Sequence, residues 1–280
     1  MDVLSAINKA TQFLKTKGIT TSKLDSEILM SSVFKTDRAD IILNSKKKLS
    51  KKNLYNFEKL IEQRSKRKPI AYIIGKKDFW KYEFYVTQDV LIPRPDTELV
   101  VQKVLEQTKN KSNLNILDIG VGSGCIVLSI LKERNNFYGT GIDISKKSLD
   151  ICRINSNKLG IFKRLKLFNS NIDNFNYGKY DLIISNPPYI KKFALKNLEK
   201  DVVGYEPKLA LDGGLEGLSE IRRVINNSIK LIKKKGILIL EVGPDQIFKV
   251  KMDLINKGFY IKEVIKDLAN NNRCIVSIKI

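Results

Sequence analysis

Through residue 65 the hydrophobic positions recur at three- and four-residue spacing; beyond it they gather into short apolar runs separated by polar loops. Val3, Leu4, Ile7, Ala10, Phe13 and Leu14 share one helical face, with Asp2 placed to cap it and Gly18 to stop it. Leu24, Ile28, Leu29, Val33 and Phe34 make a second face. Leu54, Phe57, Leu60 and Ile61 make a third, with Ser50 as its cap. Stripes of this kind pack a core more often than they form a partner groove, so residues 1–68 are predicted as a small helical domain. Pro69 ends the helices. Ile70–Ile74, Phe79–Trp80 and Phe84–Val86 read as β-like runs, which makes residues 69–95 a hairpin or linking segment. Pro93 and Pro95 stiffen the stretch that follows, and Asp96 or Thr97 is expected to cap a helix carrying Leu99, Val100, Val104 and Leu105. An ordinary linker is the plainer reading of that stretch.

From Asn115 onward strands and helices alternate. Predicted strands are Asn115–Asp118, Tyr138–Asp143, Leu165–Asn169, Tyr180–Ser185, Gly236–Val242, Phe259–Lys266 and Arg273–Ile280. Helical stripes flank Gly236: Ile221, Val224, Ile225, Ile229 and Leu231 before it, Val250, Leu254 and Ile255 after it. Alternation of this kind predicts an α/β domain over residues 96–280, with a mostly parallel, doubly wound sheet. Such sheets bind ligands at the carboxyl ends of their strands, beside a reversal in strand order.

Two motifs fall at those ends. Asn186-Pro187-Pro188-Tyr189 follows the apolar run Leu182–Ser185. The prolines lock φ and remove two backbone donors, leaving carbonyls to face a ligand; Asn186 adds a side-chain acceptor and Tyr189 an aromatic face. Together they suit a planar NH2 group on a conjugated carbon, although a simple turn after a strand is an equal reading of the four residues alone. Upstream, Asn115–Asp118 runs into Gly120-Val121-Gly122-Ser123-Gly124 and then into a helical pattern. Glycines there permit positive φ and bring a ligand against bare backbone. The spacing is G-x-G-x-G, which differs from the G-x-G-x-x-G of dinucleotide folds. Asp143 ends the next predicted strand, where a carboxylate accepts from both ribose hydroxyls of a nucleoside. Strand, glycine loop, helix, strand and acid in that order indicate a nucleoside cofactor without phosphates, for which S-adenosylmethionine is the candidate. A further stretch, Asp201–Gly214, holds enough glycine and proline to be a structured loop that either roofs this crevice or lies on the surface.

Composition narrows the chemistry. Histidine is absent, which excludes His-based acid–base work, Ser–His or Cys–His nucleophiles and the usual zinc sites. Cys125, Cys152 and Cys274 are scattered, odd in number and without metal spacing, so they are expected as reduced core residues, and no metal is expected. No run approaches the roughly 18 apolar residues of a membrane span. Met1-Asp2-Val3-Leu4 lacks the basic and apolar regions of a secretory leader, so a cytoplasmic location is expected. The net charge of +21 is mostly lysine spread along the chain, more a compositional bias at solvated positions than a binding patch. The remaining reading is an attraction to acidic partners, RNA or a protein surface.

Five blocks carry a family resemblance: Arg67–Gly75, Val90–Glu98, Asp118–Gly124, Asn186–Tyr189 and Glu206–Gly214. In these the chain resembles the release-factor glutamine methyltransferases, the PrmC/HemK family, over nearly its whole length. The resemblance implies a seven-stranded class I S-adenosylmethionine-dependent methyltransferase domain behind an N-terminal helical substrate-recognition domain. It implies methyl transfer to the side-chain amide nitrogen of the glutamine in the Gly-Gly-Gln loop of peptide-chain release factors, by a cytoplasmic protein expected to be a monomer. Gly120 to Gly124 would take the cofactor's amino-acid end and Asp143 its ribose, while Asn186 to Tyr189 would hold the glutamine amide. Where the family often has an Asp and a large apolar residue near the adenine, this chain has Ser170-Asn171-Ile172, with Ile172 placed to pack a ring face and Asn171 to hydrogen-bond. Two alternatives stand beside this. An adenine amino-methyltransferase acting on DNA or RNA would use the same four residues on a flipped base. A catalytically silent RNA- or protein-binding module would use none of them.

Overall fold

Asp2 accepts a hydrogen bond from the Ser5 N–H at 2.8 Å and opens α1 (Val3–Thr16), which Gly18 closes at φ 72°. α2 (Ser22–Phe34), α3 (Arg38–Leu43) and α4 (Lys51–Ser65) follow, α3 started by Asp37 and α4 by Ser50 as side-chain caps. α3 was not among the predicted stripes because its six residues carry a single buried position, Ile41. Ile70–Ile74 corrects the expectation of a β-like run: it is a helical turn, α5, begun after Pro69 and closed by Gly75 at φ 73°. An uninterrupted apolar run of five suits a buried helical turn as well as a strand, and the flanking Pro and Gly decide it. The apolar faces meet in one core that includes Val3, Leu14, Leu29, Met30, Phe57 and Ile61.

The structure is a computed structural model that describes residues 1–280, and the chain divides into two units. One is Met1–Lys76 with Glu199–Tyr205; the other is Lys77–Leu198 with Glu206–Ile280. The inserted piece is largely a helix, α9 (Lys200–Tyr205), where only loop was expected. Within the helical unit, Arg64 ties it in: its guanidinium meets Asp25 at 2.7 Å and Asp201 at 2.6 Å.

In the second unit a hairpin, β1 (Lys76–Phe79) and β2 (Tyr82–Tyr85), precedes α6 (Glu98–Gln107). Then come β3 (Asn115–Ile119), α7 (Cys125–Glu133), β4 (Tyr138–Asp143), α8 (Lys146–Lys158), β5 (Leu165–Asn169) and β6 (Tyr180–Ser185). α10 (Ser219–Leu231), β7 (Ile232–Glu241), α11 (Ile247–Asn256), β8 (Phe259–Lys266) and β9 (Asn272–Lys279) complete it. The seven-stranded sheet has the order β5-β4-β3-β6-β7-β9-β8 and is parallel except for β9. Alternate residues feed opposite faces: Leu182 and Ile184 of β6 join the core with α6, α7 and α8, while Ile183 joins the core with α10 and α11. The fold is therefore a doubly wound α/β sheet behind an N-terminal helical unit. After β5 the chain returns to lay β6 on the other flank of β3, which sets the reversal in strand order between β3 and β6. No helix is long and apolar enough to cross a membrane.

Candidate functional site

The register between β3 and β6 pairs Ile119 with Ser185, so the next residue of each strand, Gly120 and Asn186, emerges at the same sheet edge. The Ser185 hydroxyl fastens the two ends together by donating to the Ile119 carbonyl at 2.7 Å. Backbone N–H groups of Gly120 and Val121 both donate to the Ile142 carbonyl of β4, which curls the loop back over the sheet. Gly120 and Gly122 sit at φ 76° and 54°, and a Cβ built on Gly120 would meet nothing within 4 Å. On Gly122 it would approach only the Gly120 carbonyl, at 3.9 Å. These two glycines leave the loop bare on its open side. Gly124 has a different purpose, since its Cβ would stand 2.7 Å from both Cys152 Sγ and Leu128 Cδ1.

Asp143, at the end of β4, accepts from Gly122 N–H at 3.0 Å through one oxygen and from Ser145 N–H at 2.9 Å through the other. Each oxygen keeps a lone pair for a ligand hydroxyl. Burial raises the Asp143 pKa, opposed by those two hydrogen bonds. Beneath the loop, burial pushes Asp118 up to about 7, with the nearby Asp143 charge adding to it. One Asp118 oxygen accepts from Val127 N–H at 3.3 Å and the other has no partner.

A cavity of about 500 Å³ joins these pieces. Its lining includes Gly120, Val121, Gly122 and Ser123, Asp143, Asn171 and Ile172, and Asn186, Pro187 and Pro188. Gly124 lies behind the loop, outside this lining. Tyr189 is also outside it: the ring packs against the α10–α11 core, and its hydroxyl donates to Glu241 at 3.3 Å. Burial pushes that phenol up to about 12. Asn186 donates through Nδ2 to the Thr97 hydroxyl oxygen at 3.2 Å, while its Oδ1 makes no hydrogen bond within the protein. Thr97 occupies the N-cap position of α6, as the sequence suggested, but its side chain makes no capping hydrogen bond. The 3-10 turn Pro95–Thr97 instead turns its hydroxyl toward Asn186.

Asn171 spends its side-chain oxygen on the Asn174 N–H, at 2.9 Å, and Ile172 is buried with its side chain in the core beside the cavity. Ile144, half exposed and adjacent to Asp143, adds apolar lining that the sequence reading passed over. Its signal was its place directly after the acid. The loop from Pro207 to Asp212 contributes Pro207, Leu209, Ala210 and Asp212 to the wall. Glu206, nearly fully buried, holds this loop against the Leu91–Glu98 stretch by accepting from Ile92 N–H at 3.2 Å and from the Arg94 guanidinium. The other cavity arginine, Arg223, is paired with Asp173 and Glu220. Both cations are thus neutralised, so the donor set suits a nucleoside bearing no phosphate. No group of three or more His, Cys, Asp or Glu side chains converges in a way that could hold a metal ion.

Residues 5–75 match the family model for the PrmC N-terminal domain, and residues 95–207 match the methyltransferase small domain. The chain is 36% identical over 282 residues to a release factor glutamine methyltransferase of Clostridium acetobutylicum, covering 100% of this chain and 99% of that one. It is 38% identical over 251 residues to the protein of that name from Buchnera aphidicola subsp. Schizaphis graminum, covering 90% of each. Among solved structures, a ribosomal protein L11 methylase from Lactobacillus delbrueckii subsp. bulgaricus shares the fold, with a TM-score of 0.53 and 16% identity over 73% of this chain and 90% of that one.

Proposed function

The chain belongs to the release factor glutamine methyltransferase family, and from that membership we propose that it methylates the side-chain amide nitrogen of the glutamine in the Gly-Gly-Gln loop of peptide-chain release factors. The donor is S-adenosylmethionine, the second product S-adenosylhomocysteine, and no metal takes part. One observation carries the reading: Asn186, with its unused Oδ1, lines the same cavity as the bare glycine loop.

In this reading Gly120, Val121, Gly122 and Ser123 hold the cofactor's amino-acid end, Asp143 accepts from its ribose, and Ile172, Ile144 and Asn171 surround the adenine. Bound there, S-adenosylmethionine supplies a methyl group activated by a positively charged sulfur. The glutamine amide nitrogen is a poor nucleophile, because its lone pair is delocalised into the carbonyl. Asn186 Oδ1 and the Pro187 carbonyl, which accepts no hydrogen bond from the protein, take its two N–H groups. Those acceptors fix the amide plane and stabilise positive charge as it develops on nitrogen. Orientation of the reacting groups in this cavity contributes up to about 7–11 kcal/mol. A strong base is unnecessary, since the methylated nitrogen is acidic and loses its proton to water. The absence of histidine is consistent with this. Tyr189 supports the corner from behind through its hydroxyl, a smaller role than the aromatic face first assigned to it. The helical unit recognises the substrate, and the protein acts as a monomer in the cytoplasm.

A labelled-methyl assay that offers a release factor and DNA side by side tests the reading. Label should enter the release factor alone. Label on adenine would replace the proposal with a base methyltransferase, whose target NH2 has the same planar geometry. No transfer to either, with no binding of S-adenosylmethionine in calorimetry, would leave a silent binding module.

A further inference from the structure

Neither Pro187 nor Pro188 has a backbone N–H, so the corner Asn186–Tyr189 cannot be anchored through its proline nitrogens. It is anchored through its carbonyls. Gln246, 3% exposed, donates through Nε2 to the Tyr189 carbonyl at 2.8 Å and to the Gly217 carbonyl at 2.9 Å. Its Oε1 accepts from Gly243 N–H at 2.9 Å. Two glycines press bare backbone on the same stretch. A Cβ on Gly213 would stand 2.8 Å from the Pro188 carbonyl oxygen, and one on Gly217 would collide with the Tyr189 carbonyl oxygen. Ile190 completes the grip, donating to the Leu211 carbonyl at 3.1 Å and accepting from Gly213 N–H at 2.9 Å.

We propose that Gln246 is a positioning residue for methyl transfer: by holding the Tyr189 carbonyl it aims the Pro187 carbonyl at the substrate amide. This deepens the glutamine-methylation reading and rests on it. The proline rings lock φ at 187 and 188, and the Ser185 hydroxyl ties the strand end before Asn186 to the Ile119 carbonyl. With the Pro188 and Tyr189 carbonyls held on the far side, little torsional freedom remains for the peptide group between the prolines. Its oxygen therefore keeps one direction. Gln246 itself can sit only one way round. Its Oε1 meets an N–H and its NH2 meets two carbonyls; a flipped amide would set donor against donor and an oxygen against two oxygens. Closing the turn Pro244–Gln246 before α11 accounts for the Oε1 contact alone. Both N–H groups are spent on the corner and on the loop packed against it.

Kinetics of the full chain on a release factor test this, with each rate divided by the number of S-adenosylmethionine sites counted by calorimetry, so that unfolded chain does not register. Gln246→Met removes all three hydrogen bonds and should lower kcat per site about tenfold, the cost of about one net oriented hydrogen bond. Gln246→Glu keeps the acceptor for Gly243 but leaves at most one donor for the two carbonyls, and should lower kcat by at least about threefold. Cofactor affinity and KM for the release factor should stay within about threefold of wild type in both. An isotope-labelled glutamine carboxamide in the release factor, bound with S-adenosylhomocysteine, gives an independent signature by nuclear magnetic resonance. The downfield proton shift that survives Asn186→Ala should shrink in Gln246→Met, while the shift that depends on Asn186 remains. Wild-type kcat per site in both variants, or two unchanged carboxamide shifts, overturns the proposal. Should neither variant fold, the wild-type chain decides. The Gln246 side-chain N–H signals should move when the release factor binds and stay in place when S-adenosylhomocysteine binds alone; signals unmoved by the release factor overturn the proposal. A wild-type chain that does not methylate the release factor would instead remove the underlying reading, so the two failures are separable.

Discussion

Asn186→Ala should reduce kcat on a release factor by about 10²–10³-fold while S-adenosylmethionine binds with an affinity within about threefold of wild type. That range is typical of losing one preorganised polar group aimed at charge that develops in the transition state. The separation from binding follows from the local geometry. Asn186 leaves β6, its Nδ2 engages Thr97, and its Oδ1 makes no hydrogen bond to the glycine loop or to Asp143. Asp143→Ala should give the complementary pattern. Its carboxylate orders Gly122 and Ser145 through their N–H groups and keeps lone pairs for ribose hydroxyls. Removing it should weaken cofactor binding by about 10- to 100-fold, as expected for charge-assisted hydrogen bonds, with kcat at saturating cofactor changed by only about twofold. Calorimetry and kinetics on the two variants read both patterns. Equal loss of binding and turnover in either variant would contradict the division of labour assigned to them.

The largest stability effect is expected at Arg64. Its side chain is almost completely enclosed, with Nε on Asp25 at 2.7 Å, one terminal nitrogen on Asp201 at 2.6 Å and on the Lys68 carbonyl at 3.2 Å. Asp25 is 4% exposed and also accepts the Thr21 hydroxyl at 2.9 Å. Arg64→Met would fill much of the volume yet leave Asp25 without its cation and Asp201 with only Arg67, at 3.8 Å. Breaking a buried pair in this way costs about 3–5 kcal/mol, because the abandoned charges stay desolvated. The denaturant midpoint of the helical unit should fall accordingly, and amide exchange in α2 and α4 should accelerate. Adding Asp25→Leu and Asp201→Asn should recover most of the loss, since an apolar replacement of a whole ionic cluster is often neutral. A triple variant no more stable than Arg64→Met would assign the cost to lost packing instead.

Much of the fold was legible because each buried strand is a compact apolar run bounded by a polar loop. β4, β5, β6 and β8 have the predicted limits, and only β7 departs noticeably, starting at Ile232 rather than Gly236. Ile70–Ile74 was misread because periodicity has no meaning over five apolar residues; Pro69 and Gly75 held the signal, the one as a helix start and the other as a left-handed stop. The glycine loop, Asp143 and Asn186 were legible as strand-end motifs, and their meeting in one crevice followed from the rule for parallel sheets. The strand order behind it, with β3 between β4 and β6, is not specified by loop lengths and hydropathy. Thr97 was seen but assigned to capping, a local function, whereas its partner Asn186 comes from a distant strand end. Glu206 and Arg94 are 112 positions apart, and Arg64 and Asp201 137 positions apart, so their pairing emerges only when the chain is folded.

Methyl transfer to glutamine requires a carboxamide held by two acceptors at the Asn186–Pro187 corner. Nuclear magnetic resonance of a release factor carrying an isotope-labelled glutamine carboxamide, bound to the enzyme with S-adenosylhomocysteine, observes those two N–H groups directly. Both amide protons should shift downfield on binding to the wild-type chain, and one of the two shifts should vanish with Asn186→Ala. Identical carboxamide spectra in the wild-type and Asn186→Ala complexes would contradict it.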